Sequence, residues 1–171
     1  MTEKHISNPN KGLSLNSKAP LFDCSDINGN IVKLGNLLSE YDGILLEFFR
    51  GAWWNPWKQH LTDLKLNLSE FMNRNIKIIS LSADSVNQLR KFYEENAFQF
   101  TMISDRSLTI VKEYNVQLTR DDPEFDKFQV EHAIPSQFLI NREGIIVWQH
   151  IDTKMDRGTV KMLIDAIEKK I

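Results

Sequence analysis

Chemistry in this chain would have to come from few side chains, and the densest group stands in one run, Phe48-Phe49-Arg50-Gly51-Ala52-Trp53-Trp54-Asn55-Pro56-Trp57-Lys58-Gln59-His60-Leu61. It follows an apolar, strand-like stretch, Ile44-Leu45-Leu46-Glu47, and opens a helical pattern. An indole offers one N–H donor, no ionisable nucleophile and no useful lone pair, so Trp53, Trp54 and Trp57 suit packing or ligand stacking better than bond making. The one cysteine, Cys24, lies in an alternating strand pattern. An inward, apolar setting there would raise its pKa and block access, which makes it a structural residue rather than a nucleophile. His5, His60, His132 and His150 show no H-x-x-x-H spacing, and there is no C-x-x-C. His60 with Asp63 is a lone pair of candidate ligands, so neither a metal nor a cofactor is assigned. No carboxylate pair or Ser/His arrangement supports a different enzyme chemistry.

Several elements must position these residues. Ala19 to Leu34 alternates apolar and polar residues around Asn28-Gly29, a hairpin signal. A strand is expected at about 43–49. Apolar residues then recur at Trp57, Leu61, Leu64, Leu68 and Phe71, one stripe on a long helix ending near Asn73. Ile76-Lys77-Ile78-Ile79-Ser80-Leu81-Ser82 reads as a buried strand, and Ser85-Val86-Asn87-Gln88 as a capping box opening a helix to about Asn96. A short strand at Phe100–Ile103 and a small helix ending at Tyr114-Asn115-Val116 follow. Residues 117–132 read as a polar, acidic loop without periodicity, long enough to suggest a function or an insertion. Ser136–Ile140 and Ile145–Trp148 flank Asn141-Arg142-Glu143-Gly144 as a second hairpin, and Val160, Leu163, Ile164, Ile167 and Ile171 stripe a terminal helix. Alternating strands and helices indicate an α/β domain over 19–171, preceded by a loosely ordered segment at 1–18.

The turn at 48–61 resembles the active-site turn of the AhpC/TSA (peroxiredoxin-like, redoxin) family of thioredoxin-fold proteins, F-[FY]-R-G-x-W-C-P-x-C-x-x-x-L. Further points of similarity are Ala19-Pro20-Leu21-Phe22, Ile79-Ser80-Leu81-Ser82-Ala83-Asp84, Ile103-Ser104-Asp105, Tyr114-Asn115-Val116, Ile134-Pro135-Ser136-Gln137-Phe138-Leu139-Ile140 and Arg157, in family order over roughly 17–170. The resemblance implies a thioredoxin-like fold: a central mixed β-sheet flanked by helices, with an N-terminal β-hairpin. It also implies peroxide reduction by a cysteine thiolate held at a helix N-terminus, where backbone N–H groups and the dipole favour an anion. Aligned without a gap, however, both cysteine positions fall on tryptophan, Trp54 and Trp57. Arg50 and Arg157 match arginines near the family's reactive pocket, which orient a peroxide or steady an anion. Without a thiolate they become an anion-binding feature or solvated charges. Ile134-Pro135 resembles the cis-proline that faces the reactive sulfur, so a cis bond is expected there.

The chain thus reads as a catalytically silent binding or regulatory homologue, with a protein partner or small ligand at the former cleft and a homodimer among the options. The alternative is an active thiol-dependent peroxidase or oxidoreductase. Tryptophan, cysteine and selenocysteine codons differ only at the third base, so that reading holds if the natural residues at 54 and 57 are cysteine or selenocysteine, or if Cys24 is reactive. At 171 residues, 42% hydrophobic and 26% charged, the composition is that of one globular domain. A net charge of −2 without like-charge runs suggests neither nucleic-acid nor membrane-surface binding. A lone cysteine and a polar start without a signal-peptide core point to the cytoplasm. No window approaches the 18 or so consecutive apolar residues of a membrane span.

Overall fold

Asn28-Gly29 turns the chain as its composition dictates: Gly29 takes φ +83°, and the Asp26 carboxylate accepts from the backbone N–H groups of Asn28 and Asn30. The turn joins β1 (Asp23–Ser25) to β2 (Ile31–Lys33), with Cys24 opposite Val32. The computed structural model describes residues 10–152 and 158–171.

α1 (Leu34–Glu40) leads into β3 (Gly43–Phe48), buried along its whole length. The helix expected from Trp57 to Phe71 is two helices, α2 (Asn55–Leu66) and α3 (Leu68–Met72). Asn67 divides them with φ −110° and ψ 16°, its side chain donating to the Asp63 carbonyl, a local bond that competes with helix continuation. β4 (Ile76–Ser82) follows, then α4 (Val86–Glu95), whose capping box of Ser85 and Gln88 is formed as the sequence indicates. β5 (Thr101–Ser104) and α5 (Thr109–Glu113) complete the first half.

Residues 117–132 are not the unstructured loop expected. β6 (Gln117–Leu118) pairs with β7 (His132–Ala133), Leu118 opposite His132, and α6 (Phe125–Phe128) lies between them. Two-residue strands and a one-turn helix are too short for either periodicity to register. β8 (Ser136–Asn141), β9 (Ile146–Ile151) and α7 (Val160–Lys170) end the chain.

The central sheet has the order β5-β4-β3-β8-β9, with β3, β4 and β5 parallel and β8 and β9 antiparallel. Alternation along β3 divides the core: Leu46 and Phe48 pack with Tyr114 and Phe138 under α1 and α5, while Leu45 faces Leu61, Leu89 and Leu163 of α2, α4 and α7. The expected mixed sheet flanked by helices, with its N-terminal hairpin, is therefore present. Residues 10–18 are tied to it, since Gly12 N–H donates to the Asn115 carbonyl, Asn16 N–H to the Ile146 carbonyl, and Lys18 bridges Ile145.

Candidate functional site

The site lies where β3 ends and α2 begins, and the backbone there is anchored from β4. Phe49 N–H donates to the Leu81 carbonyl, and Ala52 N–H donates to the Asp84 carboxylate at 2.8 Å. The same Asp84 oxygen accepts from Ser82 Oγ at 2.8 Å. A Cβ at Gly51 would collide with the Trp53 indole nitrogen, so the turn is closed by a residue without one. Trp54 is the N-cap of α2, with φ −103° and ψ 100°, and its indole, lacking an acceptor, caps nothing. Pro56 sits within the first turn, where its missing N–H costs no hydrogen bond.

The three tryptophans have different surroundings. Trp57 is 1% exposed, stacked on Phe49 with centroids 6.4 Å apart and planes 6° apart. Trp54 is half-buried against the same core cluster. Trp53 is 51% exposed and meets the ring of His132 edge-on at 5.7 Å and that of Phe128 at 6.0 Å.

Arg50 gathers these pieces. It is 4% exposed, and its guanidinium lies 4.2 Å from the ring centre of Phe128 and 5.2 Å from that of Trp54. Nη1 meets His132 Nε2 at 2.8 Å, and Nη2 donates to Glu124 at 3.3 Å. Since His132 Nδ1 stands 2.7 Å from the Val130 carbonyl, an acceptor, Nδ1 carries the proton and Nε2 accepts from Arg50. Burial pulls the His132 pKa down to about 4, the Val130 bond opposing this and the Arg50 charge adding to it. Burial likewise lowers the Arg50 pKa, against the pull of Glu124 and then Asp152. Glu124, Phe128, Val130 and His132 all come from the stretch 117–132, which gave no periodic signal in the sequence.

A family model of the AhpC/TSA family matches residues 15–149. This chain belongs to the AhpC/TSA family. A peroxiredoxin-family sequence of Mycobacterium tuberculosis (strain H37Rv) is 23% identical over 155 residues, covering 90% of this chain and 94% of the relative. The crystal structure of peroxidoxin BcpB from Mycobacterium tuberculosis superposes with a TM-score of 0.78 at 17% identity, over 91% of this chain and 96% of that one. Reduced Plasmodium vivax 2-Cys peroxiredoxin gives 0.74 at 19% identity, over 91% and 94%. The fold is thus the thioredoxin-like one that the family resemblance implies.

Within this AhpC/TSA chain, Trp54 and Trp57 stand at the start of α2. Ile134-Pro135 departs from expectation: no peptide bond is cis among the described residues, so this bond is trans. Ile134 N–H donates to the Val116 carbonyl and the Pro135 carbonyl accepts from Asp152 N–H, and no tight turn demands the other isomer. Arg157 and His5 lie outside the described residues. Cys24 is half-buried in β1, its thiol pushed up to about 11 by burial first and then by Asp105, Asp23 and Asp26.

Behind Trp57 lies a polar cluster that sequence reasoning missed. Ser80, Glu47, Gln137 and His150 are consecutive cross-strand partners on β4, β3, β8 and β9, all buried. His60 of α2 reaches the Glu47 carboxyl group at 3.1 Å, and Gln137 Nε2 donates to both Glu47 oxygens and to the Gly158 carbonyl. Glu47 interrupting an otherwise apolar strand was the available signal. Among the described residues no group of three His, Cys, Asp or Glu is placed to hold a metal ion.

Proposed function

We propose that this AhpC/TSA chain is a catalytically silent member of its family, a binding or regulatory module built on the family's cleft. The carrying observation is the occupancy of the two helix-start positions: an indole stands at the N-cap position, 54, and a second at 57 is stacked in the core on Phe49. The surroundings support the same reading. Arg50, which would orient a peroxide, is held by His132 and Glu124 under two aromatic rings, and Cys24 sits in β1 as a thiol of raised pKa. The partner is a protein or small ligand at that cleft, a homodimer is a further option, and the compartment is the cytoplasm.

The test is peroxide consumption with dithiothreitol or thioredoxin as reductant. Purified protein should consume hydrogen peroxide or an organic hydroperoxide no faster than its Cys24→Ser variant. Saturable turnover that Cys24→Ser abolishes would overturn the silent reading. A natural gene encoding cysteine or selenocysteine at 54 and 57 would restore the active-enzyme reading.

A further inference from the structure

Arg50 offers more hydrogen-bonding capacity than its neighbours use. Its side-on fork consists of Nε–H and Nη2–H, two parallel donors that match the two oxygens of one carboxylate. Here Nη2 holds Glu124 through a single oxygen at 3.3 Å, longer than the 2.7–2.9 Å or so of a charge-assisted bond. Nε is buried and has no hydrogen-bond partner. A fork this buried and half filled is costly, because an unsatisfied donor loses its hydration without replacement.

The guanidinium is nonetheless fixed in direction. His132 Nε2 accepts from Nη1 on the far side, and the imidazole is itself pinned by the Val130 carbonyl. Phe128 and Trp54 flank the guanidinium, and half-exposed Trp53 continues the aromatic surface outward. The Glu124 side chain, by contrast, is 38% exposed and stands at the N-cap of a helix of one turn, so it is the partner free to leave.

We propose that the Arg50 fork is the head of a binding site for a carboxylate carried on an apolar body, with Glu124 as its intramolecular occupant in the free protein. Binding is an exchange: the incoming carboxylate takes Nε and Nη2, Glu124 turns into solvent, and the apolar body lies along Phe128 and Trp53. Exchange rather than addition follows from charge, since buried Asp152 already acts on Arg50 and a further carboxylate beside Glu124 would be repelled. This deepens, and rests on, the reading of the cleft as a binding site.

The experiment is a titration of the intact protein with hexanoate, followed by tryptophan fluorescence, against the neutral isostere hexan-1-ol. Hexanoate should give a saturable change that hexan-1-ol does not. Glu124→Gln should tighten hexanoate about tenfold by removing the internal competitor, the worth of about one charge-assisted hydrogen bond. Arg50→Lys keeps the charge but loses the fork, and should weaken binding by a similar factor. Equal titrations with acid and alcohol, or a Glu124→Gln variant that binds no better than the parent, would overturn the proposal. A flat titration in a peroxide-inert protein removes only the carboxylate site, whereas peroxide turnover removes the silent-module reading and leaves the titration to stand by itself.

Discussion

Arg50 and His132, 82 positions apart in the chain, meet at 2.8 Å inside the protein. The contact joins the end of β3 to β7, and the short ladder that sets Leu118 opposite His132 fixes where the imidazole stands. A buried cation has lost its hydration, so each donor that meets an acceptor offsets part of that cost. A neutral imidazole supplies an acceptor on one nitrogen while its other nitrogen donates its proton to the Val130 carbonyl, and that arrangement fails once the ring is charged.

Acid should therefore destabilise the protein through His132. Its folded pKa of about 4 lies below the ordinary 6.5, so between those values the unfolded chain binds a proton that the folded one does not. Stability from this group is fully present above about 6.5 and is lost as pH falls toward 4, by about 3 kcal/mol in all. Urea unfolding at pH 7 and pH 4.5 measures it. His132→Gln can still accept from Arg50 but does not titrate, and should flatten the difference; an unchanged pH slope would contradict the assignment.

The two outermost members of the tryptophan turn should separate cleanly in stability. Trp57 is buried and stacked on Phe49, so Trp57→Ala should cost about 3–5 kcal/mol. Trp53 is half-exposed and makes edge contacts, so Trp53→Ala should cost no more than about 1 kcal/mol. Denaturant midpoints of the two variants give the comparison, and equal losses would show that Trp57 does not anchor α2.

Much of this architecture was legible because it rests on local chemistry. Asn28-Gly29 forces a hairpin, Ser85 with Gln88 forces a helix start, and the apolar run of β4 buries on both faces. The Trp57–Leu61–Leu64 stripe was readable too, but not the break after it, because Asn67 ends α2 through one side-chain bond to Asp63 that periodicity does not register. The partners of Arg50 were hidden for another reason. His132 and Glu124 reach it from a segment whose structure is set by tertiary contacts, and a single sequence carries no sign of a pairing across 82 residues. The trans bond before Pro135 shows the limit of carrying a motif over from a resemblance.

Cys24 should behave as a protected thiol. With its pKa pushed from the ordinary value of about 8.5 up to about 11, the thiolate fraction at pH 8 falls by more than about a hundredfold relative to the unfolded chain. Iodoacetamide labelling followed by intact mass should be at least that much slower in buffer than in concentrated urea. Comparable rates in the two conditions would make Cys24 accessible and reopen it as a nucleophile.

Trp54→Cys tests whether the family's chemistry can be restored. Position 54 caps α2 and lies beside the Arg50 cation, two features that stabilise a thiolate. The new thiol should titrate below the free value of about 8.5 and react with hydrogen peroxide. In that step the thiolate sulfur takes one peroxide oxygen to become a sulfenic acid while the other oxygen leaves as water after protonation. Because Trp54 is half-buried, the void should cost less than the 3–5 kcal/mol or so of a fully buried indole, leaving the variant folded. Thiol titration by absorbance at 240 nm, with dimedone trapping of the sulfenic acid, reads both properties. A folded variant whose thiol titrates at or above the free value, and which yields no adduct, would mean that the helix start no longer stabilises an anion. Adding Glu124→Gln to that variant then decides between the causes. If Glu124 is what neutralises Arg50, its removal should lower the thiol pKa, whereas no change would place the loss in the geometry of the turn itself.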